Sequence, residues 1–468
     1  MKLEEMIGEK VMQPITIPCG QILGTKGKVS GVIAYKGIRY ATAGRFEYPV
    51  EVTSWEGVYE ATEYGNCCYQ PRSFYDEEKV PEKAFYYNEF RKGETYTYSE
   101  DCLFLNIWVP ENATKDSKLP VLFYIHGGGF TGGCGHEKHF DGPIWPKKGV
   151  IAVTINYRLG PLGFLCLPEL AERDGHTGNY GLYDQMMAMQ WVQHNIEAFG
   201  GDPSQVTIMG QSAGAMSVQQ HCISPLTDGL FSKAVLSSGG GISPMFNTKN
   251  TYEDLYEFGQ QVEKEAGCNT LEEFLSLEPE KLFAAWQIVK KSDRKYAMAA
   301  APCLDGRLLV KGAMDVAKAG EQKNIPYLLG STSQDVAPPF IFSMARKWCL
   351  RQDRQHKQPS FCWFFDRKLP GDGNGAWHSS DLWYWFGTLK NGWRPFEQKD
   401  YELSDAMSSY LCQFVKTGNP NQEGLPTWQP ITESQKHVLR IGEGKIRMGS
   451  VNMAKLFITM LTNKAVGE

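Results

Sequence analysis

Six runs of strand length are apolar without alternation: VLFYIHG (121–127), GVIAVTINYR (149–158), VTIMG (206–210), KAVLSSG (233–239), IPYLLGS (325–331) and FCWFFD (361–366). A strand with one wet face alternates apolar and polar residues. Unbroken apolar runs instead predict strands buried on both faces, as in a mostly parallel sheet covered by helices. The stretches between them agree. YGLYDQMMAMQWVQHNIEAFG reads as a helix stopped by Gly200, Gly201 and Pro203. Tyr252 to Ala266 and Tyr401 to Thr417 read as helices too, the second ended by Gly418-Asn419-Pro420. The N-terminal part differs, with short β-prone pieces such as GVIAYKGIRYA. A length of 468 residues would accommodate three domains. With no repeat, low-complexity stretch or linker-like composition, the pattern predicts one large α/β domain over 1–468 with an irregular N-terminal β region.

A net charge of −5 gives no electrostatic footprint for nucleic acid or an anionic membrane surface. The opening MKLEEMIGEKVMQP carries acidic residues where a signal peptide needs an apolar run, and no stretch of about 18 apolar residues occurs. The expectation is a soluble cytoplasmic protein, with the sequon at Asn112 silent. Twelve cysteines show no metal-type spacing and read as buried small hydrophobes. No metal or cofactor is expected.

The segment VTIMGQSAGAMSVQQHC (206–222) places Ser212 between an apolar run and a helical one. A nucleophile elbow strains the backbone of its serine and needs small neighbours, which Gly210, Ala213 and Gly214 supply. In a chain with 48 glycines, the pentapeptide alone equally suits an ordinary helix N-cap serine. A second motif, YIHGGGFTGG (124–133), follows a predicted strand, and consecutive glycines there expose backbone N–H groups as an oxyanion hole requires. No P-loop pattern is present to suggest a phosphate site instead.

Among nine histidines, elimination leaves His378, in the glycine-rich loop GDGNGAWHSSD after FCWFFD. His136 and His139, in HEKH, read as a solvated loop pair rather than metal ligands. The acid should fall between serine and histidine in the chain, and Asp335, in LLGSTSQDVAPP, follows a predicted strand. Asp305 and Asp366 are rivals, and Asp381, close after His378, reads as a supporting residue.

Together these blocks resemble the type B carboxylesterases, the family of cholinesterases, bacterial para-nitrobenzyl esterases and the catalytically silent neuroligins. The likeness runs through GVIAYKGIRYA, RFEYP, SEDCLFLNIWVP, YIHGGGF, NYRLGPLGF, GNYGLYDQMMAMQWVQHNIEAFGGDP, GQSAG and WHSSDLWYWFG. It implies an α/β-hydrolase fold and hydrolysis of small-molecule carboxylic esters through an acyl-enzyme. Ser212 would be nucleophile, His378 base, and the N–H groups of Gly128, Gly129 and Ala213 the oxyanion hole. It also implies ion pairs Arg45–Glu100 and Arg158–Asp184, and matches Cys68 and Cys102 to the family's disulfide, two reduced neighbouring thiols being the alternative. Amide, carbamate or thioester hydrolysis, or a neuroligin-like binding role, are the other readings of the same scaffold. A monomer is one option for the assembly.

The chain departs from the family at the acid, where Asp335 in TSQDV stands for the usual Glu. The segment to His378 is also short, predicting a shortened helical cap around 336–377 and a more open or differently roofed cleft. Gln211 replaces the glutamate of cholinesterases, and Tyr69 to Asp101 contains no Trp for cation–π capture, so choline specificity is not expected. Phe130, Gln211, Trp377 and Phe340 are the candidate substrate-lining residues.

Overall fold

The computed structural model describes residues 12–81, 83–244, 246–296, 299, 301–443 and 445–462. The acidic opening segment thus lies largely outside the described residues. These residues build an 11-stranded sheet. In chain order its strands are β1 (Thr25–Lys26), β2 (Val32–Arg39), β3 (Phe104–Pro110), β4 (Leu119–Ile125), β5 (Ile151–Ile155), β6 (Gly201–Gln211), β7 (Lys233–Ser237), β8 (Tyr327–Thr332), β9 (Ser360–Phe365), β10 (Val438–Gly442) and β11 (Lys445–Gly449). Their order across the sheet is β11-β10-β9-β8-β7-β6-β4-β5-β3-β2-β1. From β10 to β5 every neighbour is parallel, while β1–β3 and β11 close the two edges antiparallel. This is the α/β-hydrolase architecture.

The unbroken apolar runs are explained by burial on both faces. Val121, Phe123 and Ile125 of β4 enter one core, and Leu122 and Tyr124, between them, enter the other. Each such side chain contributes about 1.5–3 kcal/mol by leaving water. The expected helices form as Tyr180–Asn195, Tyr256–Glu265 and Gln398–Thr417, the last ending at Gly418 in the left-handed region. The N-terminal β region is real: Ile15–Ile17, Gly20–Leu23 and Val58–Glu60 form a separate three-stranded sheet.

Two ion pairs fasten the loops around this frame. Arg158 Nε and Nη2 bond the Asp184 carboxylate at 2.8 and 2.6 Å, both residues buried. Arg158 Nη1 bonds the carbonyl of Glu47 at 2.7 Å. Arg45 Nε bonds Glu100 at 3.0 Å. Cys68 and Cys102 are buried neighbours with free thiols. Among the described residues no helix is long and apolar enough to cross a membrane.

The register brings the carboxyl ends of the parallel strands to one rim. Gly210 lies opposite Ile125 and Leu236, Ser237 opposite Gly330, and Thr332 opposite Phe365. The loops that leave those ends carry the glycine motif, Ser212, Asp335 and His378, which is where ligands bind in open α/β sheets.

Candidate active site

Between β6 and the helix Ala213–Ile223, Ser212 adopts φ 56° and ψ −125°. A residue with a Cβ is held there only by its surroundings. Its N–H donates to the Ser237 carbonyl at 2.9 Å. Strand and helix meet so closely that a Cβ at Gly210 would lie 2.2 Å from the Gly214 oxygen, and one at Gly214 2.1 Å from the Ile125 oxygen. The first N–H groups of a helix have no partner within it, so the Ala213 N–H is available to an anion beside Ser212.

The loop after β4 turns through Gly128 (φ 106°) and Gly129 (φ 62°), and the Gly128 carbonyl accepts the N–H groups of Thr131 and Gly132, both at 3.0 Å. Gln70 clamps its far end, donating to the Gly133 carbonyl at 3.1 Å and accepting the Gly133 N–H at 3.0 Å. His126 is a support beneath the loop: its Nδ1 bonds the Gly127 carbonyl at 2.8 Å, and burial pulls its pKa down to about 4, keeping it neutral.

His378 Nδ1 lies 2.5 Å from Asp335 Oδ1. Because an ionised carboxylate only accepts, the proton belongs on Nδ1 and Nε2 is left basic. Asp335 also accepts the N–H groups of Thr332 at 3.3 Å and Val336 at 3.0 Å. Burial pushes the Asp335 carboxyl up, but the His378 charge and these hydrogen bonds outweigh it, so its pKa falls below the ordinary value. Burial likewise works against the His378 cation, yet Asp335 raises its pKa above the ordinary value. His378 Nε2 receives the side-chain amide of Gln211 at 3.1 Å.

The shorter aspartate reaches the imidazole because its turn is zipped to the histidine loop. The Gln334 N–H donates to the Ala376 carbonyl at 3.0 Å, and the Ala376 N–H donates to Gln334 Oε1 at 2.9 Å. Gly375 (φ 67°) makes this possible, since a Cβ there would sit 1.4 Å from Gln334 Oε1.

The rival acids are engaged elsewhere. Asp305 accepts Asn179 at 3.0 Å and the N–H groups of Arg307 and Leu309, and Asp366 pairs with Arg440 at 3.0 Å. Asp381 sits behind His378, where Oδ2 accepts from Ser237 at 3.0 Å and Trp385 at 3.1 Å while Oδ1 is buried without a hydrogen-bond partner. Burial pushes the Asp381 carboxyl up to about 6.

A cavity of about 410 Å³ opens beside Ser212, His378 and Gly127 to Gly129. Its outer wall comes from an unexpected source, the segment Pro71 to Arg91. There Arg72 and Arg91 alternate with Glu77 and Glu137 in a closed quartet, with contacts of 3.3, 3.0, 2.9 and 2.9 Å. Of the segment 336–377, Val336 reaches the cavity wall; the remainder contributes helix Pro338–Arg354 and β9 to the body of the fold.

Gln211 lines this cavity. The aromatic candidates need correction. Phe340 is 41% exposed and meets Phe457 edge-on, away from the cavity. Trp377 is buried behind the wall against Phe85, Tyr86 and Phe90. Phe130 packs inward on Phe164 in a small core cluster. Gly129 and Thr131 beside Phe130, and His378 beside Trp377, line the cavity, but the local backbone turns these two aromatic side chains away. His136 and His139, expected in solvent, are both buried.

The chain is similar to known proteins over most of its length. The carboxylesterase family model matches residues 12–363 and 340–456. The para-nitrobenzyl esterase of Bacillus subtilis (strain 168) is 30% identical over 91% of this chain and 94% of its own. Bile salt-activated lipase of Rattus norvegicus is 29% identical over 91% of this chain and 81% of its own. A solved para-nitrobenzyl esterase structure superposes with a TM-score of 0.81 at 27% identity, covering 96% of this chain and 99% of that one.

Proposed function

The chain belongs to the carboxylesterase family and is a carboxylic ester hydrolase, and we propose that Ser212, His378 and Asp335 carry its chemistry with Gly128, Gly129 and Ala213 as the oxyanion hole. The observation that carries this reading is the strained Ser212 facing the same cavity as a histidine whose outer nitrogen is kept basic by a buried aspartate. His378 Nε2 takes the Ser212 proton as Oγ attacks the ester carbonyl. The oxyanion gathers N–H groups from the glycine loop and the helix start, where the helix dipole also favours negative charge. The alcohol leaves with the proton from His378, which then activates water to release the acid. The Gln211 amide holds the imidazole in line before the attack and gives way to Ser212 Oγ.

A cavity of about 410 Å³ suits a small-molecule ester. Eleven buried cysteines, all free, support placement in a reducing cytoplasm. The test of the chemistry is Ser212→Ala, which should abolish turnover of a para-nitrophenyl ester while leaving the thermal midpoint within a few degrees. Substantial residual kcat would refute the assignment.

A further inference from the structure

Beside the stretch that follows Gly133 the fold buries three potential metal donors. Cys67 Sγ, Cys134 Sγ and an imidazole nitrogen of His136 all lie within 4.8 Å of one another. Cys67 comes from the short strand Cys67–Cys68, paired in parallel with Tyr98–Ser99, while Cys134 and His136 come from the loop beyond Gly133. Their sequence separation is why no metal-type spacing was visible.

The geometry suits a tetrahedral ion. Sulfur at 2.3 Å and nitrogen at about 2.1 Å from a tetrahedral zinc lie about 3.6 Å apart. Cys67 Sγ and His136 Nε2 are 3.6 Å apart. The backbone on both sides is already pinned. Gln70 holds Gly133, and the Gly135 N–H donates to Asn156 at 2.7 Å. The His136 ring stacks on Tyr64 at 4.6 Å, and its Nδ1 is buried without a hydrogen-bond partner. Charge also balances: on binding, the two thiols release their protons, and two thiolates neutralise a divalent ion where a bare charge would be costly.

We propose that Cys67, Cys134 and His136 form a binding site for one thiophilic divalent ion of the zinc class, tying the segment 67–70 to the loop that carries Gly128 and Gly129. The fourth coordination position is left to an exogenous ligand. The site stands apart from the serine chemistry, and its failure would leave the Ser212 assignment intact.

The test uses the full-length protein, reduced and stripped with a chelator, then titrated with Co²⁺. Expected are thiolate-to-cobalt charge-transfer bands that saturate at one ion per chain and vanish on adding Zn²⁺. Cys67→Ser and Cys134→Ser should lose the bands, whereas Cys412→Ser, at a distant buried thiol, should keep them. If the variants fail to fold, X-ray absorption of the zinc-loaded wild-type protein reads the same claim, with two sulfur scatterers and one imidazole expected. No charge-transfer bands in the wild-type protein, bands that survive loss of both thiols, or a sulfur-free coordination shell would overturn the site. So would a Cys67–Cys134 disulfide whose reduction restores no metal uptake, since the contact would then be redox or plain hydrogen bonding.

Discussion

The side-chain amide of Gln211 donates to His378 Nε2 at 3.1 Å, on the nitrogen that receives the Ser212 proton in the proposed mechanism. A neutral amide holds the ring without favouring its cation. A carboxylate in the same place would favour the imidazolium. Gln211→Glu should therefore move the acid limb of the kcat/KM profile upward by about 1 pH unit, because the base is active only when neutral. Gln211→Ala should shift the limb little. An unmoved limb in Gln211→Glu would mean that residue 211 does not face the working nitrogen.

Asp335→Asn replaces the acceptor-only carboxylate at His378 Nδ1 with an uncharged amide that can also donate, so the tautomer is no longer fixed, and kcat should fall by about 10⁴-fold. Asp305→Asn and Asp366→Asn should leave kcat within a few-fold, since these carboxylates serve a turn and an edge pair. Steady-state kinetics on the three variants separates the candidates. A large loss in either of the latter would move the acid.

Gly375→Ala forces a Cβ into Gln334 and leaves a side chain at positive φ. The positive φ alone costs on the order of 1–2 kcal/mol, and the flexible end of the Gln334 side chain must swing aside. Because Gln334 precedes Asp335, the displacement should appear mainly in kcat, by tenfold or more, with a small change in thermal midpoint. A variant that loses stability but keeps kcat would show that the zip does not position the aspartate.

Asp381 gives a stability prediction with a definite sign. Its pKa rises from the ordinary 3.8 to about 6 on folding. Between those values the folded state binds more protons than the unfolded chain, so the contribution of Asp381 to stability falls as pH rises through that window. The loss is about 3 kcal/mol. Asp381→Asn keeps an acceptor for Ser237 and Trp385 without the charge. It should gain on the wild-type protein between pH 4 and 6, roughly this window, in urea unfolding. A constant difference across the range would contradict the buried-acid reading.

Much of this was legible in the chain because the dominant forces were local or repetitive. Unbroken apolar runs mark β4 to β9 whatever packs on them, and the elbow glycines reveal themselves because only they permit the contacts between Gly210, Gly214 and Ile125. His378 could be reached by elimination because each other histidine had a local reading. The cavity wall was not legible. Arg72, Glu77, Arg91 and Glu137 look like ordinary surface charges until folding joins them across distant segments. Trp377 and Phe340 mislead for the opposite reason, since nearness in the chain says nothing about which way a side chain turns. The burial of His136 beside Cys67 depends on a contact 69 residues apart, which local patterning cannot register.

The central claim, that Ser212 is an activated nucleophile, is tested most directly by reacting the folded protein with a fluorophosphonate probe and mapping the adduct by peptide mass spectrometry. One stoichiometric adduct on Ser212 is expected, its formation slowed by orders of magnitude in His378→Ala and absent in Ser212→Ala. A folded wild-type protein that takes up no probe, or carries it on another residue, would contradict it.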